Sequence, residues 1–324
     1  MKNKFFKILS FIIILMMFCT LSSCNYNKKM VYEVTFEYNN GNSSTKVEVQ
    51  EGMTISTPMD PYKENYLFEG WYLDYNLYNK YDFSLEVNNS FTLYAKYILD
   101  AAEITNKISN DLIKGVVKIY NKCYNTFLLI PYESSTSQGS GFCFHIQDGY
   151  YYFLTNCHVA VLRSGYKKQE FTVVDYQGNE YEAYLYHNPN KNFSAISEGY
   201  DLACLYIKPS KTDIMELDFD NDNPSFKDDV ISIGAPNGQQ NTITYGKVSG
   251  YRQITLDDTT PKESNVTFNV VAHNAKIDKG SSGGPLLNSK LNVVGVNYAS
   301  STDGTAYAIP LVKVKSFLKI YVYN

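Results

Sequence analysis

Asp278-Lys279-Gly280-Ser281-Ser282-Gly283-Gly284-Pro285 is the stretch of this chain with the clearest chemical potential, and the apolar pair Leu286-Leu287 follows it. A serine among glycines allows a tight turn in which backbone N–H groups converge beside an exposed hydroxyl. The N–H groups of Gly280 and Ser282 then face the oxyanion that forms when Ser282 attacks a carbonyl, which is the arrangement acyl transfer needs. A Gly/Ser loop alone is also an ordinary turn. Two further segments give it partners. Phe153-Leu154-Thr155-Asn156-Cys157-His158-Val159 reads as an apolar strand ending in a histidine. Gly199-Tyr200-Asp201-Leu202-Ala203-Cys204-Leu205-Tyr206-Ile207 reads as an aspartate opening a core strand. His158 would take the proton of Ser282 and hand it on to a leaving amine, while Asp201 holds the imidazole tautomer.

These segments lie in the order His, Asp, Ser, and the chain resembles the trypsin-like serine proteases of the HtrA/Deg branch. The resemblance rests on Gly139-Ser140-Gly141-Phe142, on T-N-x-H-V from Thr155 to Val159, and on Asp201-Leu202-Ala203. Gly280 to Pro285 (G-x-S-G-G-P) and Ala308-Ile309-Pro310 complete it. It covers roughly residues 115–322. It implies a mostly β, two-barrel chymotrypsin-like domain, while the segment ahead of it, residues 31–98, resembles a separate, small β-grasp-like module. His158, Asp201 and Ser282 are then the catalytic residues, and Gly280 and Ser282 form the oxyanion hole. Proteins or peptides are the implied substrates, cleaved through an acyl-enzyme without cofactor or metal.

Two departures from the family pattern carry information. Zymogen-type relatives have an aspartate before the serine, to pair with a newly cut N-terminus. Ser281 stands there, so activation by cleavage is not expected. Six residues before the serine, where trypsins carry a carboxylate, is Lys276. Like charge disfavours basic side chains at the specificity pocket, for which Lys276, Tyr298 and Ala299 are the candidates. With no histidine on Val296 to Ser300, a small or medium uncharged side chain is the default substrate group. An acidic one is the alternative if Lys276 points inward. No segment after Pro310 is long enough for a PDZ domain, so activation through one is not expected.

The remaining titratable residues read as structural. His145, His187 and His273 fall on a hairpin strand, in a loop and on a strand before the active loop. Cys157 and His158 are neighbours, which on a strand puts them on opposite faces, so neither a metal site nor a cysteine nucleophile is expected. Cys143, Cys157 and Cys204 sit in apolar strand sequence, and free thiols are expected there and at Cys123.

The elements that position these residues follow from pattern. At 324 residues, two domains are expected. Lysine and arginine number 29 against 33 aspartates and glutamates, a net charge of −4, which gives no basis for nucleic-acid binding. Thirty tyrosines against one tryptophan suit half-buried strands. Basic Met1-Lys2-Asn3-Lys4, an apolar run from Phe5 to Phe18 and Leu21-Ser22-Ser23-Cys24 read as a signal peptide over residues 1–23. The L-S-S-C end resembles a bacterial lipobox. It implies lipidation of Cys24, a tether over residues 24–30 and an extracytoplasmic, membrane-anchored location on the bacterial cell surface.

Residues 31–98 read as a separate module. Val31 to Tyr38 alternates up to the turn Asn39-Asn40-Gly41, and Lys46 to Val49 alternates again. Tyr66, Phe68 and Gly70-Trp71-Tyr72, with the closing Thr92-Leu93-Tyr94-Ala95, resemble a Listeria–Bacteroides repeat with Trp71 in its core. Its exposed aromatics make a cell-surface ligand a candidate partner. Ile104, Ile108 and Leu112 recur at spacing four, which predicts a helical linker over 99–114 before the protease domain at 115–324. The rival functions are a surface adhesin with a secondary or inactive protease domain, and an esterase using the same acyl-transfer groups.

Overall fold

The computed structural model describes residues 29–127, 130–235, 241–254 and 266–323. They form two compact units, divided after Ile98.

In the first unit, β1 (Val31–Glu37) pairs antiparallel with β2 (Thr45–Gln50), while β3 (Tyr66–Tyr72) lies next to β4 (Phe91–Leu99). The sheet order is β2-β1-β4-β3, with β1 and β4 parallel. Alternation turns Val34 and Phe36 inward, where they join Trp71, Val87 and Leu93 in a small core. Phe36, Tyr38 and Phe68 surround the Trp71 ring edge-to-face, with centroids 4.9 to 5.6 Å away.

The second unit opens with α1 (Ala101–Asn110), whose first turn is capped by Asp100 accepting the Glu103 N–H at 3.0 Å. Ile104 and Ile108 are fully buried in the core of this unit, so the helix is part of it. Six strands then close a barrel: β5 (Val116–Phe127), β6 (Ile130–Gln147), β7 (Tyr150–Thr155), β8 (Lys168–Val174), β9 (Glu180–Leu185) and, later in the chain, β13 (Leu202–Ile207). The pairing of β13 with both β7 and β9 closes the ring. Between β7 and β8 lies a single helical turn, α2 (Cys157–Ala160). Short pieces β10 (His187–Asn188), β11 (Phe193–Ser194) and β12 (Ile196–Ser197) precede β13.

A second closed barrel has the order β14-β15-β16-β19-β18-β17. Its strands are β14 (Asp229–Gly234), β15 (Thr242–Arg252), β16 (Val270–His273), β17 (Pro285–Asn288), β18 (Val293–Ser300) and β19 (Ala306–Pro310). Helix α3 (Leu311–Phe317) follows directly.

Each barrel has its own interior, with Ile119, Phe153, Val173 and Leu205 in the first and Val230, Val271 and Leu286 in the second. A third apolar cluster lies between them. There Phe142, Leu154 and Leu202 meet Ile231, Ile233, Leu287 and Val296. The mostly β, two-barrel fold matches the expectation from sequence, and the shared core makes the two barrels one rigid frame.

The four described cysteines, Cys123, Cys143, Cys157 and Cys204, are buried free thiols. Burial pushes Cys143 up to about 12 and raises Cys204, which leaves both unreactive. Cys24 and the expected signal peptide lie outside the described residues.

Candidate active site

His158 sits on the helical turn α2 rather than at a strand end, because β7 stops at Thr155 and Asn156 bends the chain. The strand-alternation argument for Cys157 therefore does not apply. Burial is what removes it from the site: its residue is 1% exposed, whereas the His158 side chain retains 17%.

Asp201 precedes β13 and is fully buried. Its backbone is in the left-handed region, φ 49°, which an unbranched Asp tolerates better than most residues. That turn aims the carboxylate at α2. Asp201 Oδ2 lies 2.9 Å from His158 Nδ1 and Oδ1 lies 3.1 Å from it, while Oδ1 also accepts the His158 backbone N–H at 3.0 Å. The carboxylate thus fixes both ring and backbone. Asn156 Nδ2 donates to the Asp201 carbonyl at 2.9 Å and ties the two segments together once more.

Ser282 enters from the second barrel, on the loop before β17. Gly280 and Gly283 both have positive φ, at 104° and 88°. A Cβ at Gly280 would stand 2.6 Å from the Ala235 carbonyl, and one at Gly283 would run into the Ser140 carbonyl and Thr155 Oγ1. The glycines are therefore required for the loop to pack here. The Ser282 hydroxyl donates to the Tyr298 carbonyl at 3.4 Å. His158, Gly280 and Ser282 line one open cleft of about 460 Å³.

Ser140 holds this loop from the first barrel. Its hydroxyl donates to the Gly280 carbonyl at 2.8 Å and accepts the Ala235 N–H at 2.9 Å. Its backbone N–H donates to the Ser282 carbonyl at 2.7 Å. Ser140 and Asn156 were visible within sequence motifs, but their partners are backbone groups brought close only by folding. For Asn156 the one available signal was a polar side chain closing an apolar run, whereas Ser140 sits in the polar stretch Ser134 to Gly141 and gave none of that kind.

The expected pocket residues separate. The Lys276 side chain is 78% exposed, with Nζ 3.6 Å from an Asp278 carboxylate oxygen, so it faces water rather than charging the base of a pocket. Tyr298 sits at a β-bulge in β18 and is buried in the core between the barrels. Burial, followed by the nearby Asp201 and Tyr307, raises its phenol well above the ordinary range. Ala299 is half-buried on the same strand. Of the other histidines, His145 and His273 lie on β6 and β16, and His187 starts the short strand β10. Among the described residues no cluster of His, Cys, Asp or Glu is suited to a metal ion.

The two-barrel β frame thus carries His158 and Ser282 on one cleft, with the buried Asp201 carboxylate on the His158 ring. Residues 139–296 match the trypsin-like peptidase domain, and residues 32–96 match the Listeria-Bacteroides repeat domain. The two matched regions follow one another along the chain, the repeat first. It is similar to the "Serine protease Do-like HtrA" of Bacillus subtilis, 31% identical over 230 residues, covering 67% of this chain and 48% of that protein. It is also 31% identical over 194 residues to mouse "Serine protease HTRA4", covering 58% of this chain and 35% of the relative. The chain thus spans about half or less of these relatives. Among solved structures, the active form of the Rv3671c protease from M. tuberculosis shares the fold. Its TM-score is 0.52 at 21% identity, over 69% of this chain and 88% of that one.

Proposed function

We propose that this chain is a serine endopeptidase that cleaves peptide bonds through an acyl-enzyme on Ser282. The observation that carries the reading is the His158–Asp201 couple opening onto the cleft that also holds Ser282 and Gly280. With Nδ1 committed to Asp201, His158 Nε2 is the nitrogen that takes the Ser282 proton as Oγ attacks the substrate carbonyl. The Ser282 hydroxyl turns away from the Tyr298 carbonyl to do so. The oxyanion gathers on the Gly280 and Ser282 N–H groups. The imidazolium, stabilised by the buried Asp201 carboxylate, then protonates the leaving amine. Water attacks the acyl-enzyme by the same route in reverse.

The test is labelling by a fluorophosphonate, together with hydrolysis of a protein substrate such as casein. Ser282→Ala should lose both, with hydrolysis falling roughly 10⁴- to 10⁶-fold. A variant that still hydrolyses at the wild-type rate removes the assignment.

The enzyme is further proposed to act outside the cytoplasm as a lipid-anchored protein at the cell surface, on the strength of the Leu21 to Cys24 sequence. Firm retention on membranes needs more than one acyl chain. Cys24→Ala should release the protein from the membrane fraction or block its processing. Wild-type protein found mainly in the culture supernatant, with an unmodified N-terminus, would favour a plain secretory signal.

A further inference from the structure

We infer that the cleft beside Ser282 is a cationic subsite that selects a carboxylate side chain on the leaving-group side of the scissile bond. This rests on the endopeptidase reading above and adds a substrate class to it.

Two basic side chains, Arg163 and Lys279, line the cleft that contains His158, Gly280 and Ser282. They come from different barrels. Arg163 follows the helical turn of His158, and Lys279 immediately precedes Gly280. Arg163 is held in place by an Nη1–H bond to Ser135 Oγ at 2.8 Å. Among the described residues neither cation has a carboxylate within ion-pairing distance, and Asp278, next to Lys279 in sequence, pairs instead with Lys276. The chain as a whole is slightly acidic, so this pair is a local concentration of positive charge at the reacting atoms. Beside the apolar Val159, the wall carries Thr136, Ser137 and Gln138, whose amide donates to the Ala235 carbonyl at 2.9 Å.

The side of the bond follows from the lining. The cleft contains His158, which in the endopeptidase reading delivers the proton to the leaving amine, and no residue of β18, the strand whose Tyr298 carbonyl accepts from the Ser282 hydroxyl. A volume of about 460 Å³ accommodates a side chain or two. An Asp or Glu there would meet two cations, while a Lys or Arg would meet like charge. Because both cations are solvent-exposed, the preference should weaken as salt is added.

The test uses the full chain and quenched fluorescent peptides that differ only in the first two residues after the scissile bond: Asp, Asn or Lys. The expected kcat/KM is about tenfold higher for Asp than for Asn at low salt, shrinking at high salt. The Asp-to-Asn ratio should fall towards one in R163A/K279A and invert in favour of Lys in R163E/K279E. Equal rates for Asp and Asn, or a ratio unchanged in the double variants, overturn the proposal. Peptide binding to S282A, with and without R163A/K279A, separates this from failure of the endopeptidase reading. If no peptide is cleaved but S282A binds the acidic peptide more tightly through Arg163 and Lys279, the cationic subsite stands and the catalytic reading falls. No preference in either assay overturns the subsite.

Discussion

The Ser140 hydroxyl donates to the Gly280 carbonyl at 2.8 Å, a bond between residues 140 positions apart that joins the two barrels at the reactive loop. A peptide plane has its carbonyl and the following N–H on opposite edges, so fixing one carbonyl of a loop restricts how the neighbouring planes rotate. The Gly280 conformation at φ 104° is thus pinned from behind by a buried side chain. The loop that carries Ser282 is held open to the cleft by contacts on the side away from it.

Ser140→Ala should therefore slow catalysis out of proportion to its effect on substrate binding. We expect kcat to fall about 10- to 100-fold, less than or comparable to deletion of an oxyanion donor, with KM changed far less. Stability should drop by about 1–3 kcal/mol, because the buried Ala235 N–H and Gly280 carbonyl lose their partner. Steady-state kinetics and a urea titration measure the two effects. Wild-type kcat in a folded Ser140→Ala protein would show that the loop holds itself.

Asp201 allows charge and conformation to be separated. Asn is a similar size and tolerates a positive φ, so Asp201→Asn should keep the turn and the fold while losing the carboxylate that orders His158. Activity should fall about 10⁴-fold with the thermal midpoint little changed. Asp201→Val should lose stability as well, since a β-branched residue is strained at that φ. Comparing kcat/KM and thermal melts for the two variants checks this, and equal melting temperatures would contradict it.

The residues of the site were legible because the chemistry restricts their types and surroundings: a nucleophile needs glycines around it, and a histidine and aspartate need apolar strands beside them. The helix over Ala101–Asn110 was legible from Ile104 and Ile108, whose spacing reports a buried face. The long hairpin of β5 and β6 was less so. Its outer part, residues 121–127 against 130–137, carries a lysine, a glutamate and three serines without clean alternation. It is held by backbone pairing, which imposes no hydrophobic period on the sequence. The helical turn at Cys157–Ala160 was hidden inside apolar sequence that reads as a continuation of β7. Lys276 was placed by counting back from Ser282. Counting does not fix the direction of a side chain that reaches water easily.

The second unit should fold and act without the first. Its barrels and α1 share one core, and all the proposed catalytic residues lie within it. A protein starting at Leu99 keeps the Asp100 cap and should hydrolyse casein at close to the full-length rate. One starting at Gly115 loses fully buried Ile104 and Ile108, and each buried isoleucine contributes about 2–5 kcal/mol. It should be unfolded or strongly destabilised. Circular dichroism and casein hydrolysis on both proteins test this, and a stable, active Gly115 form would show α1 to be dispensable.

His273, fully buried on β16, gives the fold an acid limit of its own. Burial lowers its pKa from 6.5 to about 4, outweighing the opposing effects of Asn297 and the Ala275 backbone. Between those values the unfolded chain binds a proton that the folded protein excludes, so stability rises with pH across that window. The contribution is complete above about pH 6.5 and lost below about pH 4, a difference of ~3 kcal/mol. Carboxylates with lowered values, such as Asp303 at about 2, add their own losses towards the acid end. The readout is therefore the difference between wild type and a His273→Leu variant, which has nothing to protonate there. Urea midpoints measured from pH 4 to pH 7 should fall more steeply towards acid for the wild type than for His273→Leu. Parallel curves would mean that His273 carries its proton, or a water, in the folded state.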